Sequence, residues 1–276
     1  PVPHALSLAL LLALAAPAAW AADPSCVDSD GNPIKGDTNK GNEDDDKRND
    51  NNTTCATNAS AYGEGNNASA AGSSAIGAAN RSFGLASSAF GSSNAATAWR
   101  SSAFGTENQA MAMGSSAFGV GNWALGNFSV AFGESNRASG SSASAVGGNN
   151  LASGNYSAAF GFGTQATSAN SAAMGAWGDF NGNLNIEVNE MTMATGIHAA
   201  AFGVASQATA TNSTAMGVLT RAEGENSVAV GTWVDKNGDG LVDADEMTVA
   251  SADHSAAFGV GSQATDASST ALGVMS

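Results

Sequence analysis

Ser87-Ser-Ala-Phe-Gly-Ser-Ser-Asn-Ala-Ala-Thr-Ala-Trp-Arg100 and Ser129-Val-Ala-Phe-Gly-Glu-Ser-Asn-Arg-Ala-Ser-Gly-Ser-Ser142 are two copies of one fourteen-residue unit. The glycine at position 5 of the unit recurs at Gly63, Gly77, Gly91, Gly105, Gly119, Gly133, Gly147, Gly161 and Gly175. It resumes at Gly203, Gly217 and Gly231, and again at Gly259 and Gly273. An alanine stands two residues before each, with one apolar residue between. Both gaps in the series are 28 residues, twice the period. A fixed period means one structural unit stacked many times, so residues 59–276 predict a solenoid and not a single globular core. Such rods present long surfaces, and an enzyme is not expected.

Each unit holds two alternating segments. Positions 1–5 read Ser-x-Ala-apolar-Gly, and positions 9–13 read x-Ala-x-small-x. Asn80, Asn94, Asn108, Asn122, Asn136 and Asn150 stand at position 8, where a turn former is expected. The reading is all-β, with two strands of about five residues per coil and coils stacked at about 4.8 Å. The first strand is apolar or small on both faces, which predicts a cover on both sides. One coil has room inside for a single layer of side chains, so the other face is expected to meet another copy of the chain. The nine-residue calcium-roll pattern, a six-residue apolar period and coiled-coil heptads are all absent from the sequence.

The chain has 276 residues, a formal charge of −15 and only 12% charged residues. No basic stripe exists to release counterions from a phosphate backbone, so no nucleic-acid partner is expected. Residues 1–21, an apolar run closed by Ala19-Trp20-Ala21, read as a secretory signal peptide whose start is missing. Residues 22–58 are acidic and poor in large apolar side chains, and are expected to be a flexible N-terminal segment. Cys26 and Cys55 flank it and are a disulfide candidate, within one chain or between chains.

The two double-length units carry inserts at about 176–198 and 232–254 that resemble each other. The second holds the spacing of a twelve-residue calcium loop. Asp235, Asn237, Asp239, the carbonyl of Leu241, Asp243 and Glu246 fill positions 1, 3, 5, 7, 9 and 12, with Gly240 at the sharp turn. Calcium is a hard cation that takes six or more oxygens, and this spacing can wrap them around one point. The first insert places Asp179, Asn181, Asn183, Asn185, Glu187 and Glu190 at the same positions, with fewer charges. Leu184 stands there where a left-handed turn favours glycine, so this site is expected to be the weaker. Neither loop follows a clear entering helix, so both are expected as EF-hand-like loops projecting from the roll.

No catalytic constellation is visible, and His198 and His254 close the two long units at equivalent places. Outward positions of the second segment carry Trp99, Trp123, Arg81, Arg137 and Arg221, residue types favoured at protein interfaces and therefore candidates for ligand contact. The same residues could instead seal the outer sheet or meet a neighbouring chain. Gln165/Thr167, Gln207/Thr209 and Gln263/Thr265 hint at threonine rows, which leaves a β-solenoid binding polysaccharide or ice as the alternative.

The phrases Asn127-Phe-Ser-Val-Ala-Phe-Gly133, Asn155-Tyr-Ser-Ala-Ala-Phe-Gly161 and Asn226-Ser-Val-Ala-Val-Gly231 resemble the head repeats of trimeric autotransporter adhesins, the YadA-like family. The resemblance implies a left-handed parallel β-roll, a homotrimer around one axis, and display on the surface of a Gram-negative cell by an outer-membrane anchor. It also implies attachment to host matrix, host cells or other bacteria. The family's coiled-coil stalk and anchor have no counterpart in these 276 residues, which break off inside a repeat at Ser276 and are expected to be a fragment.

Overall fold

The computed structural model describes residues 52–54, 56 and 58–276. The expected signal peptide and Cys26 and Cys55 lie outside the described residues, as does most of the expected acidic segment. Among the described residues the chain is a parallel β-solenoid of two sheets, each with fourteen strands in the order of their coils. One sheet holds mostly five-residue strands such as Ser88–Ser92, Ser102–Thr106 and Ser116–Val120. The other holds mostly two-residue strands such as Ala95–Ala96 and Gln109–Ala110. Every coil lies in phase with the next: Ala117 pairs with Ala131, Phe118 with Phe132 and Gly119 with Gly133. Across both long units the register also holds, Gly175 facing Gly203 and Gly231 facing Gly259.

The second strand is shorter than its five-residue pattern suggests, because positions 11–14 fold into a turn. The Ser87 and Ser101 N–H groups donate to the carbonyls of Gly84 and Ala98 at 3.1 Å. The Ser101 hydroxyl donates to that same Ala98 carbonyl at 2.8 Å and accepts the Ala98 N–H at 3.1 Å. The buried serine that opens this unit thus caps the turn before it. Each regular coil turns twice through the left-handed region, at positions 7 and 14; Ser93 has φ 57° and Arg100 φ 53°. Hydrogen bonding between coils continues through these corners, Ser93 N–H to Ala78 and Arg100 N–H to Leu85, both at 2.9 Å.

The core is a file of alanines contributed by both sheets, including Ala89, Ala96, Ala103, Ala110, Ala117 and Ala124, all fully buried. The coil is too thin to hold more than a methyl group from each side. Gly105 shows how tightly the coils approach: a Cβ there would lie 2.1 Å from the Gly119 carbonyl oxygen, and its φ is +118°.

Position 8 is the largest departure from the sequence reading. Asn80, Asn94, Asn108, Asn122, Asn136 and Asn150 are buried inside the roll and not turn formers on its surface. Asn108 Nδ2 donates to Phe104 O at 2.9 Å, Gly119 O at 2.6 Å and Asn94 Oδ1 at 3.0 Å. Thr164 continues the ladder through a 2.7 Å hydroxyl bond to Asn150 Oδ1. The turn conformation belongs to the residue just before, at position 7.

Candidate functional site

Three surfaces follow from this geometry. The first is the outer face of the five-residue strands. Alanine at position 3 points into the core, so the apolar residue at position 4 points out. Phe90, Phe104 and Phe118 stack at 4.9 and 5.0 Å, and Phe118 and Phe132 meet at 6.4 Å. Tyr62, Phe132, Met174, Met216 and Phe258 are exposed in the same row, Phe132 at 55%. An apolar ridge running the length of the rod is far larger than an isolated surface hydrophobe and marks an interaction face.

The second surface is the two-residue sheet and its turn. Trp123 pairs with Arg137 on the neighbouring strand, and the Arg137 guanidinium lies 5.5 Å from the indole centre. Arg100 sits over Trp99 at 4.6 Å, with Trp99 42% exposed. Arg81 pairs in register with Asn67 and Ala95, and Arg221 with Gln207 and Val249. The five contact candidates therefore lie along one side but in separate coils, and they do not converge on one pocket.

The third surface is the pair of inserts. Each replaces a single corner residue. The first leaves after Ala176 and the coil resumes at Thr192, whose hydroxyl lies 2.8 Å from Ala176 O and 2.6 Å from Gly203 O, either of which can accept its one proton. The second leaves after Thr232, and the Thr248 hydroxyl is placed in the same way, 2.8 Å from Thr232 O and 2.7 Å from Gly259 O. A backbone bond closes each neck, Gly178 N–H to Glu190 O and Val234 N–H to Glu246 O, both at 2.9 Å.

Within the second loop, Asp235 Oδ2 accepts the Gly240 N–H at 3.0 Å, and Asn237 Oδ1 accepts the Asp239 N–H at 2.9 Å. Asp239 Oδ1 accepts the Leu241 N–H at 2.8 Å, and Asn237 Nδ2 donates to Asp243 Oδ2 at 3.1 Å. Glu246 is buried, its carboxylate holding the N–H groups of Lys236 at 2.7 Å and Asp243 at 3.1 Å. The first loop repeats the pattern. Asp179 Oδ2 accepts the Leu184 N–H at 3.0 Å, Asn181 Oδ1 the Asn183 N–H at 3.0 Å and Asn183 Oδ1 the Asn185 N–H at 2.7 Å. Glu187 accepts from the side chains of Asn181 and Asn183 at 3.2 and 2.8 Å. Leu184 has φ 59° where Gly240 has 75°, so it occupies the left-handed position glycine would favour. Among the described residues, no three His, Cys, Asp or Glu side chains are gathered closely enough to hold a metal ion on their own. The first loop ends in a single 3-10 turn, Val188–Glu190.

The inserts do not stand away from the roll. Phe180 of the first meets Trp233 of the second edge-on at 6.4 Å. Beneath them Ala205, Leu219 and Met247 are buried, with Val204, Val218, Val242 and Val249 packed alongside. Two glutamines hold the loops down: Gln207 Nε2 donates to Val188 O at 2.7 Å and Gln263 Nε2 to Ala244 O at 2.9 Å. Both pairs are 19 residues apart in sequence, a match that could have exposed the clamp. In sequence these two glutamines stand out only beside Thr209 and Thr265, as part of the pairs that hint at threonine rows.

The family model described as the YadA head domain repeat (2 copies) matches residues 112–135, 138–164, 152–176, 194–218, 208–232 and 250–274. The matches stop at Ala176 and Thr232 and restart at Ala194 and Ala250, which leaves both loops outside the repeat. No curated protein matches the chain.

Proposed function

Residues 112–274 carry YadA-like head repeats, and from that premise we propose that the chain is the head of a cell-surface adhesin. It attaches to host matrix, host cells or other bacteria through a repetitive surface, as a homotrimer displayed outside an outer membrane. The observation that carries the trimer is the apolar ridge of Phe90, Phe104, Phe118 and Phe132 on an outer face, with an alanine core already complete behind it. Three copies turning this ridge toward one axis cover it, and each then presents its Trp/Arg side outward. Repeated weak contacts multiplied by three chains supply avidity without a deep pocket.

In this reading calcium occupies the loop Asp235–Glu246, with Asp235, Asn237, Asp239, the Leu241 carbonyl, Asp243 and Glu246 as ligands. Support comes from Gly240 at φ 75° and from a buried Glu246 tied back to Lys236 at the loop's start. The ion steadies the insert and takes no part in chemistry.

The deciding experiment is binding of the purified chain to immobilised matrix proteins and host cells, beside its mass by light scattering. Saturable binding by a trimer is expected. A monomer, or a trimer that binds no surface in such a panel, would falsify the corresponding half of the proposal. Calorimetric titration with calcium, with Asp235→Ala as control, tests the loop; equal heats for both proteins reject it.

A further inference from the structure

Glu190 closes the first loop and is 1% exposed. One of its carboxylate oxygens accepts the Phe180 N–H at 2.9 Å. The other, Oε2, is buried with no hydrogen-bond partner. Its counterpart Glu246 has both oxygens engaged. A buried carboxylate oxygen that has lost its hydration without gaining a donor is costly, and such an atom calls for a ligand. Residues 177–191 contain no Lys, Arg or His, so the insert supplies no positive charge of its own. What it offers is oxygen: Asp179, Asn181, Asn183, Asn185 and Glu187, on a loop whose internal bonds match those of 235–246. An all-oxygen set on a flexible twelve-residue loop suits a hard divalent cation of calcium's size.

We propose that the first insert is a calcium site in its own right, completed by Glu190 Oε2, and that it loads jointly with the second loop. The joint loading rests on the calcium reading of residues 235–246; the first site does not. The coupling is physical and short. Phe180 is the second residue of the first loop, and its backbone N–H holds Glu190. Its ring packs on Trp233, two residues ahead of Asp235, over the shared apolar floor of Ala205, Leu219 and Met247. Fixing one loop fixes the side chain on which the other leans, and such coupling is reciprocal. The two ions thereby make the inserts one clamp across the coils between them.

Calorimetric titration of calcium into the full chain tests this, with Glu190→Gln, Asp235→Ala and Phe180→Ala as variants. Glu190→Gln keeps the size of the side chain and an acceptor for the Phe180 N–H while removing the charge. Circular dichroism establishes that each variant keeps its β signal. Two ions per chain are expected for the native protein and one for Glu190→Gln, with the remaining affinity weakened by about fivefold or more. Asp235→Ala retains one ion, and Phe180→Ala retains two that bind independently. One ion in both the native protein and Glu190→Gln rejects the first site and leaves the second loop standing. Two ions in the native protein and one in Glu190→Gln, bound with unaltered affinity, rejects joint loading, and two ions in Glu190→Gln rejects Glu190 Oε2 as a ligand. No binding by any protein sinks both sites.

Discussion

The Oδ1 atom of Asn94 accepts both the backbone N–H and the side-chain Nδ2 of Asn108, one coil further on, at 3.0 Å each. Asn108 passes the same pair of bonds to Asn122, again at 3.0 Å. A polar column thus runs inside the rod beside the alanine file. It fixes register, because a coil shifted by one residue would bury an unpaired amide.

Asn108→Ala removes donors from Phe104 O and Gly119 O and an acceptor from the Asn122 side. Leaving such groups buried without partners costs about 1–3 kcal/mol, so the urea midpoint is expected to fall clearly. Asn108→Thr should fall less, since the Thr192 hydroxyl at the same position reaches Gly203 O, the counterpart of Gly119 O. Equal losses for the two variants would show that the hydroxyl cannot stand in for the amide.

Gly105→Ala places a methyl group 2.1 Å from the Gly119 carbonyl oxygen at a φ of +118°, so the coils must part. Loss of the cooperative transition is expected. Gly65→Ala is the contrast, with φ +62° and nothing within 4 Å; alanine already occupies the equivalent corner at Ala79. That change should cost about 1–2 kcal/mol and leave the cooperative transition in place. Thermal unfolding of the pair checks both.

Phe118→Glu leaves the alanine core untouched and puts a charge in the middle of the aromatic row. The expected result is a folded monomer by light scattering, with its β circular-dichroism signal retained. A folded trimer would show that this ridge is not the subunit interface.

Gln207→Ala and Gln263→Ala each cut one side-chain bond that pins an insert. Such a bond is worth about 0.5–1.5 kcal/mol, so amide exchange in the freed loop should quicken by roughly twofold to tenfold. Exchange in the coils should not change. Uniform acceleration along the rod would mean that the glutamines hold the roll itself.

Leu184→Gly relieves a left-handed leucine at φ 59° whose side chain is 82% exposed. A gain of about 1 kcal/mol in the loop is expected, and tighter calcium binding at 179–190 with it. Titration beside the native protein decides; weaker binding would show that the leucine contacts something the glycine cannot.

The period was legible because stacking repeats the same demand every fourteen residues. Alanine two before glycine is what a coil one methyl thick requires. The two inserts were legible because each doubles the spacing between glycines while the repeat around it keeps phase. Asn108 was misread because a buried amide and a turn amide look alike in one dimension, and its partners lie 14 and 11 residues away. The brevity of the second strand was hidden because small residues suit a turn as well as a strand. Phe180 against Trp233 could not be foreseen, since the contact exists only after the intervening coils are stacked.

Both inserts enter where one corner residue would stand, and the threonine that follows each bonds back at once to carbonyls of the coil and of the next one. The rod therefore has a docking bay at each such corner, able to carry cargo of new sequence while the track beneath keeps its gauge. Diversification of this protein needs no redesign of its repeats: a new recognition element requires only two ends that meet across a single corner.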